Sequence, residues 1–445
     1  MRILLALVIL VALAAAGSPI AGGLLTERAF ASFAQQNPRL AIPMLGSTLE
    51  LSPDAYQAGL LRSELRTPVG PARLGRTVLD HEIFHGPFVY GQLGRGLVAS
   101  VIETRFGTER QGEVSPLPIR MVTVVEFDQS VHVELNGEPI DQEGLALEGV
   151  SGTLDVSDEG ARVRALLDLG GIELESATVS LSLGQTTIDI DTRPSERGVP
   201  IGQLRATLER ASLRDAQGRD IQIRDLRGEQ NSVLDDEAGT ITASSTLRVG
   251  ELTVDALEYR DIDLDLSFRN FDEEAVANLR SEQGNGLPPT RRLLAQASAL
   301  LQKGPEIEIE TGRMQTPNGL LETHLKIQGR PEMADMPLDN PLTALSVVNV
   351  DLDLDMSPTH FGRVTLAAAQ QQAKLAGFDA NDPRFEPSVR LLEQRILDDG
   401  YVEVEGSGDL ARYRTRIQLE GGAASINGRP INILDILMAN RTASN

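Results

Sequence analysis

The chain contains no cysteine and no tryptophan in its 445 residues. The first absence removes disulfides, thiolate metal sites and cysteine nucleophiles together, and it suits an oxidising compartment where a free thiol is a liability. The second, with aromatics at only 4%, leaves a core built from Leu, Ile and Val. Basic charge is scarce as well: 41 Lys and Arg stand against 64 Asp and Glu, a formal net charge of −23. Such a surface repels phosphate backbones and anionic headgroups, which argues against nucleic acid as a partner and leaves membrane contact to apolar sequence. No G-x-S-x-G, phosphate-cradling glycine loop or dinucleotide fingerprint occurs, so nothing calls for a cofactor.

What is present begins after Arg2 with an uncharged run from Ile3 to Leu25. At about 1.5 Å per residue it covers the roughly 30 Å hydrocarbon core of a bilayer. Ala14-Ala15-Ala16 also offers the small residues of a signal-peptide cleavage site, which is the competing reading. Because the run continues uncharged past that point, residues 1–25 are expected to remain as a signal anchor. The expected location is the bacterial inner membrane, single-pass, with residues 26–445 exported to the periplasm.

From about Leu49 the dominant signal is period-two alternation, the mark of strands with one buried and one wet face. Val163, Ala165, Leu167 and Leu169 oppose Arg162, Arg164 and Asp168; Ile307 and Ile309 alternate with Glu306, Glu308 and Glu310; Tyr413, Thr415, Ile417 and Leu419 oppose Arg412, Arg414, Arg416 and Gln418. Asn136-Gly137, Gln217-Gly218, Asn318-Gly319 and Asn427-Gly428 read as hairpin turns between such runs. Helical spacing is confined to about 272–303, ended by Gly304, and about 357–399, where Ser357-Pro358 caps one helix and Gly400 stops another. The expected fold class is α+β, predominantly antiparallel β: an elongated twisted sheet of hairpins with a few covering helices after the membrane segment.

Tyr56, Gly59 and Ser63 within Ala55–Ser63, His85-Gly86-Pro87-Phe88, the stretch Gly250 to Asp272, and Tyr413 to Asn427-Gly428 together resemble the YdgA-like family of bacterial envelope proteins, a family of unknown function. The resemblance implies an N-terminal membrane segment before an exported domain and carries no chemistry. As backbone devices, Gly59 permits a strand bend and Gly86-Pro87 ends a pairing edge.

Two constellations invite a metal. His81-Glu82-Ile83-Phe84-His85 matches H-E-x-x-H, where two His one helical turn apart bind zinc and Glu activates water. The motif needs a helix, yet Thr77-Val78-Leu79 before it and Gly86-Pro87 after it favour a strand, which sets the two His about 13 Å apart. Asp261, Asp263 and Asp265, like Asp351, Asp353 and Asp355, project from one face of a strand at about 7 Å spacing, too far apart to converge on calcium. The expectation is therefore a non-enzymatic envelope protein: a periplasmic scaffold or binding module for lipid or an envelope partner. A zinc-dependent envelope hydrolase using His81–His85 is the alternative.

Overall fold

The computed structural model describes residues 39–42, 47–50, 56–57, 62–69, 76–85, 98–110, 113–128, 130–142, 145–157, 161–175, 179–215, 217–255, 257–281, 289–336, 341–375, 386–408 and 411–432. The membrane segment expected at residues 1–25, and Gly59, Gly86 and Pro87, lie outside the described residues. Among the described residues no helix is long and apolar enough to cross a membrane. Antiparallel strands dominate and helices are few. The chain divides into two compact units, residues 1–194 with 202–219, and residues 195–201 with 220–445.

In the first unit, β1 (Arg39–Ile42), β2 (Ser47–Glu50) and β3 (Tyr56–Gln57) lead into β4 (Arg62–Val69), β5 (Arg76–His85), β6 (Ser100–Arg110), β7 (Glu113–Val125) and β8 (Val131–Gly137). After them come β9 (Ile140–Gln142), β10 (Leu145–Leu147), β11 (Val150–Ser157), β12 (Arg162–Leu169), β13 (Ile172–Glu175), β14 (Ser180–Leu183), β15 (Thr186–Pro194) and β16 (Pro200–Arg214). One run of antiparallel pairs is β4–β5–β6–β7–β8–β11–β12–β15. A second is β9–β10–β13–β14–β16. Their inward residues share one core, with Leu79, Phe106, Ile119, Val133 and Leu154 from the first run and Ile140, Leu147 and Ile172 from the second. Alternation in sequence sends these aliphatic side chains to one face, and their burial is what holds the two layers together.

The chain moves between the layers through two-residue corners. Glu138-Pro139 leads from β8 to β9, Glu148-Gly149 from β10 to β11, Gly170-Gly171 from β12 to β13, and Gly184-Gln185 from β14 to β15. Asn136-Gly137 is correspondingly not a hairpin turn: both residues are paired inside β8, Asn136 with Arg120 and Ser151, Gly137 with Ile119 and Val150. The alternation that suggested a turn continues one layer corner further on.

The second unit is a meander of β17 (Asp220–Asp235), β18 (Thr240–Val254), β19 (Leu257–Asp272), β20 (Glu306–Thr316), β21 (Gly319–Gly329) and β22 (Val348–Met356). It continues through β23 (Glu403–Glu405), β24 (Arg412–Glu420), β25 (Ala423–Ile426) and β26 (Arg429–Ile431), with β24 paired to β22. Helices α1 (Glu273–Ser281), α2 (Pro289–Gln302), α3 (Pro341–Ser346), α4 (Pro358–Leu375) and α5 (Glu386–Asp398) fill the connections. Asp272 caps α1 through the Ala275 N–H at 2.8 Å, and Ser357 caps α4 through the His360 N–H at 3.3 Å, as side-chain oxygens at helix starts do. Phe361 of α4 stacks on Tyr413 of β24 with ring centroids 4.7 Å apart. The segment Ser195–Ile201 belongs to this unit although first-unit sequence flanks it on both sides: Val199 and Ile201 pack with Ile241, Leu234, Phe271 and Val276.

Candidate functional site

The H-E-x-x-H segment lies in β5, with His81 paired to Leu65 and Thr104 and His85 to Ser100, so the helical spacing that zinc requires is absent. The His81 imidazole shares a 2.8 Å hydrogen bond with the Thr104 hydroxyl. Burial pushes its pKa down to about 4, against a weaker upward pull from Asp80, because an uncharged ring is cheaper to hold away from water. Among the described residues no group of three His, Asp or Glu is placed to hold a metal ion.

The acidic triplets lie on a charged sheet face in the second unit, as strands with one wet face require. Asp263 and Asp265 meet Arg248 at 3.1 and 2.7 Å, while Asp261 sits at a register shift with φ 49°. Asp351 and Asp353 meet Arg416, and Asp355 meets Arg412 and Arg414 at 3.3 and 3.0 Å. Glu306, little exposed, is held between Arg269 at 2.7 Å and Lys326 at 2.8 Å; the Lys326 hydrogen bond first, then the two positive charges, lower its pKa in spite of burial. The opposite face carries Leu264, Leu266, Ile309, Leu325, Leu352 and Ile417, each half-buried.

Of the other singled-out residues, Tyr56 pairs with Leu65 and Ser63 with Ile83. Asn427 and Gly428 form the two-residue turn between β25 and β26, with φ of 48° and 74°. Both values are positive, as a type I′ turn demands. Asn427 also accepts the Arg416 N–H at 2.7 Å and donates to the Gly400 carbonyl at 3.2 Å.

The feature suited to holding a ligand is a cleft of about 940 Å³ in the first unit, built along the layer corners. Its floor is main chain: Gly137, Gly149, Gly170, Gly171 and Gly184 line it. Neighbouring corners are hydrogen-bonded to one another, Glu148 N–H to the Gly171 carbonyl at 2.8 Å and Gly170 N–H to the Gly149 carbonyl at 2.9 Å. Glycine is needed for that approach. Gly149 has φ 136°, and a Cβ on Gly170 would stand 2.9 Å from Glu148 Cβ and 3.2 Å from the Glu148 carbonyl carbon, inside contact distance. In return the Glu148 carboxylate accepts the Gly171 N–H at 2.9 Å.

The cleft wall carries Arg105, Arg120, Asn136, Ser151 and Asp168. Their Cα partners run in one row across five strands: Arg105 opposite Arg120, Arg120 opposite Asn136, Asn136 opposite Ser151, Ser151 opposite Asp168. Like charges directly opposed on neighbouring strands are unfavourable. Here Glu103 relieves them unequally, meeting Arg120 at 2.7 Å and Arg105 only at 3.9 Å. Asp168 accepts a hydrogen bond from the Thr187 hydroxyl at 2.9 Å. Glu138, Glu148, Glu209 and Arg210 complete the charged rim, and no histidine lines the cleft. Sequence reasoning missed this site because its residues come from separate strands and its glycines read singly as turn residues.

A family model described as "Bacterial protein of unknown function (DUF945)" matches residues 1–433. No curated protein and no solved structure matches the chain.

Proposed function

The chain belongs to this bacterial family of unknown function, and we propose that it is a non-enzymatic binding module or scaffold of the bacterial envelope, tethered to the inner membrane by residues 1–25 with its β-rich part in the periplasm. The observation that carries the reading is the corner cleft. Its floor is hydrogen-bonded main chain and its wall offers guanidinium, amide, hydroxyl and carboxylate groups in sequence. Recognition uses such groups, a concave site with fixed polar partners. The uncharged run from Ile3 to Leu25 and the cysteine-free, acidic composition support the location.

The test is a photoreactive side chain at exposed Gln185 on the cleft rim, activated in intact membranes and followed by identification of what it captures. A defined envelope component crosslinked from this position and not from an exposed site such as Phe127 is expected. Equal labelling from both positions would defeat the reading.

A second reading rests on the half-buried aliphatic face of β19 to β24: lipid contact there, read out as lipids that co-purify with the protein. The zinc-dependent hydrolase is the remaining alternative, and elemental analysis of the purified protein decides it. Less than a tenth of an equivalent of zinc is expected; stoichiometric zinc would reverse the ranking.

A further inference from the structure

We infer that the corner cleft binds a short extended peptide with a free carboxylate at one end and a free ammonium at the other. This deepens the binding-module reading and rests on it.

Within the cleft the row changes character in one direction; beyond Arg105 it continues outside the cleft to Asp80, which Arg66 engages at 2.6 Å. It runs guanidinium, guanidinium, amide, hydroxyl, carboxylate, from Arg105 through Arg120, Asn136 and Ser151 to Asp168. Residues directly opposed in antiparallel strands present their side chains on the same face, so this order is displayed along a single wall. Arg105 offers a planar donor fork suited to a carboxylate, since Glu103 engages Arg120 at 2.7 Å and stands 3.9 Å from Arg105. At the other end the carboxylates of Asp168, Glu148 and Glu209 outnumber the single guanidinium of Arg210, which suits an ammonium. Between them Asn136 and Ser151, both exposed, each offer a donor and an acceptor, the combination that peptide amides need.

Spacing sets the length. Arg120 and Asp168 are separated by three strand-to-strand steps and Arg105 and Asp168 by four, or roughly 14 to 19 Å at about 4.8 Å per step. An extended chain covers that span in about four or five residues. The cleft volume of about 940 Å³ is at the upper end of the range for small ligands. A zwitterionic lipid headgroup carries its two charges only a few atoms apart and cannot reach both ends of the row.

The test uses the full-length chain in detergent micelles and alanine peptides of two, four and eight residues, each free, N-acetylated, C-amidated or blocked at both ends. The free four-residue peptide is expected to bind best. Blocking either end should weaken it by about tenfold or more, the usual worth of a hydrogen bond to a charged group. The decisive result is cross-cancellation: Arg105→Gln should abolish the penalty of amidation and leave that of acetylation, while Asp168→Asn should do the reverse. Both residues are on the wet face, so both variants fold, which unchanged circular dichroism would verify. Equal binding of free and doubly blocked peptides, equal binding of the two-residue peptide, or full competition by phosphatidylethanolamine vesicles would overturn the proposal. Failure of every peptide together with specific capture of another component from Gln185 would overturn it while leaving the binding-module reading intact; failure of both would remove the two together.

Discussion

At the residue scale, His81 shows how burial acts on a titratable group outside the corner cleft. Its folded pKa of about 4 lies below the ordinary 6.5, so the unfolded chain binds the proton more tightly. The linked stability is fully present above pH 6.5 and is lost as pH falls toward 4, by on the order of 3 kcal/mol. Urea midpoints measured from pH 7.5 to 4 are expected to fall in the wild type and to fall clearly less in His81→Gln. Parallel curves would show that the imidazole is solvated. Glu306 acts in the same direction for a different reason. Its pKa is depressed by Lys326 and Arg269, so its contribution is present above pH 4.5 and disappears on acidification through the lowered value. Glu306→Ala leaves Lys326 and Arg269 facing each other across β20 and should cost about 1 to 3 kcal/mol at pH 7; high salt should shrink that difference without erasing it, because the site is only partly screened.

At the scale of elements, the corners behave differently from the strands they join. In Gly171→Ala the new Cβ would displace the end of the Glu148 side chain, breaking its bond to the Gly171 N–H, so a loss of about 1 to 2 kcal/mol is expected from thermal melts. Gly149→Ala should cost more, since φ 136° is closed to a Cβ whatever the neighbours do. The strands were legible in the sequence: Arg162–Leu169 and Arg412–Glu420 appear where alternation placed them, and Ser357, Gly304 and Gly400 bound the helices as their chemistry suggested. The corners were not. A two-residue link between alternating runs looks the same whether the next strand pairs back on the first or crosses to another layer, because side-chain period reports burial and not partner. Asn136-Gly137 was misread for that reason. The cleft, made of residues brought together only by this crossing, had no local signal at all.

At the scale of the whole chain, charge and compartment are linked in the proposal, and the direct measurement is N-terminal sequencing of the mature protein with protease shaving of spheroplasts. An intact Met1 and digestion of the large part from outside are expected; a new terminus near Gly17 would mean a cleaved signal. The division into units also makes a prediction that ignores sequence order. Ile201 is flanked by first-unit strands but is buried with Ile241 and Phe271, so Ile201→Ala should cost about 2 to 4 kcal/mol. Hydrogen-exchange protection should fall in β17 to β19 and persist in β5 to β8. The same segment bears on the order in which the protein can mature. A ribosome finishes Val199 and then Ile201 about 33 residues before Leu234 and about 70 before Phe271, and at a synthesis rate of about 5 to 20 residues per second this pair of apolar side chains waits for roughly 4 to 14 s with its core incomplete. During that interval the nascent chain offers a short, sticky strand beside a first unit already able to close. That exposed interval, rather than either finished core, is where a chaperone would be needed.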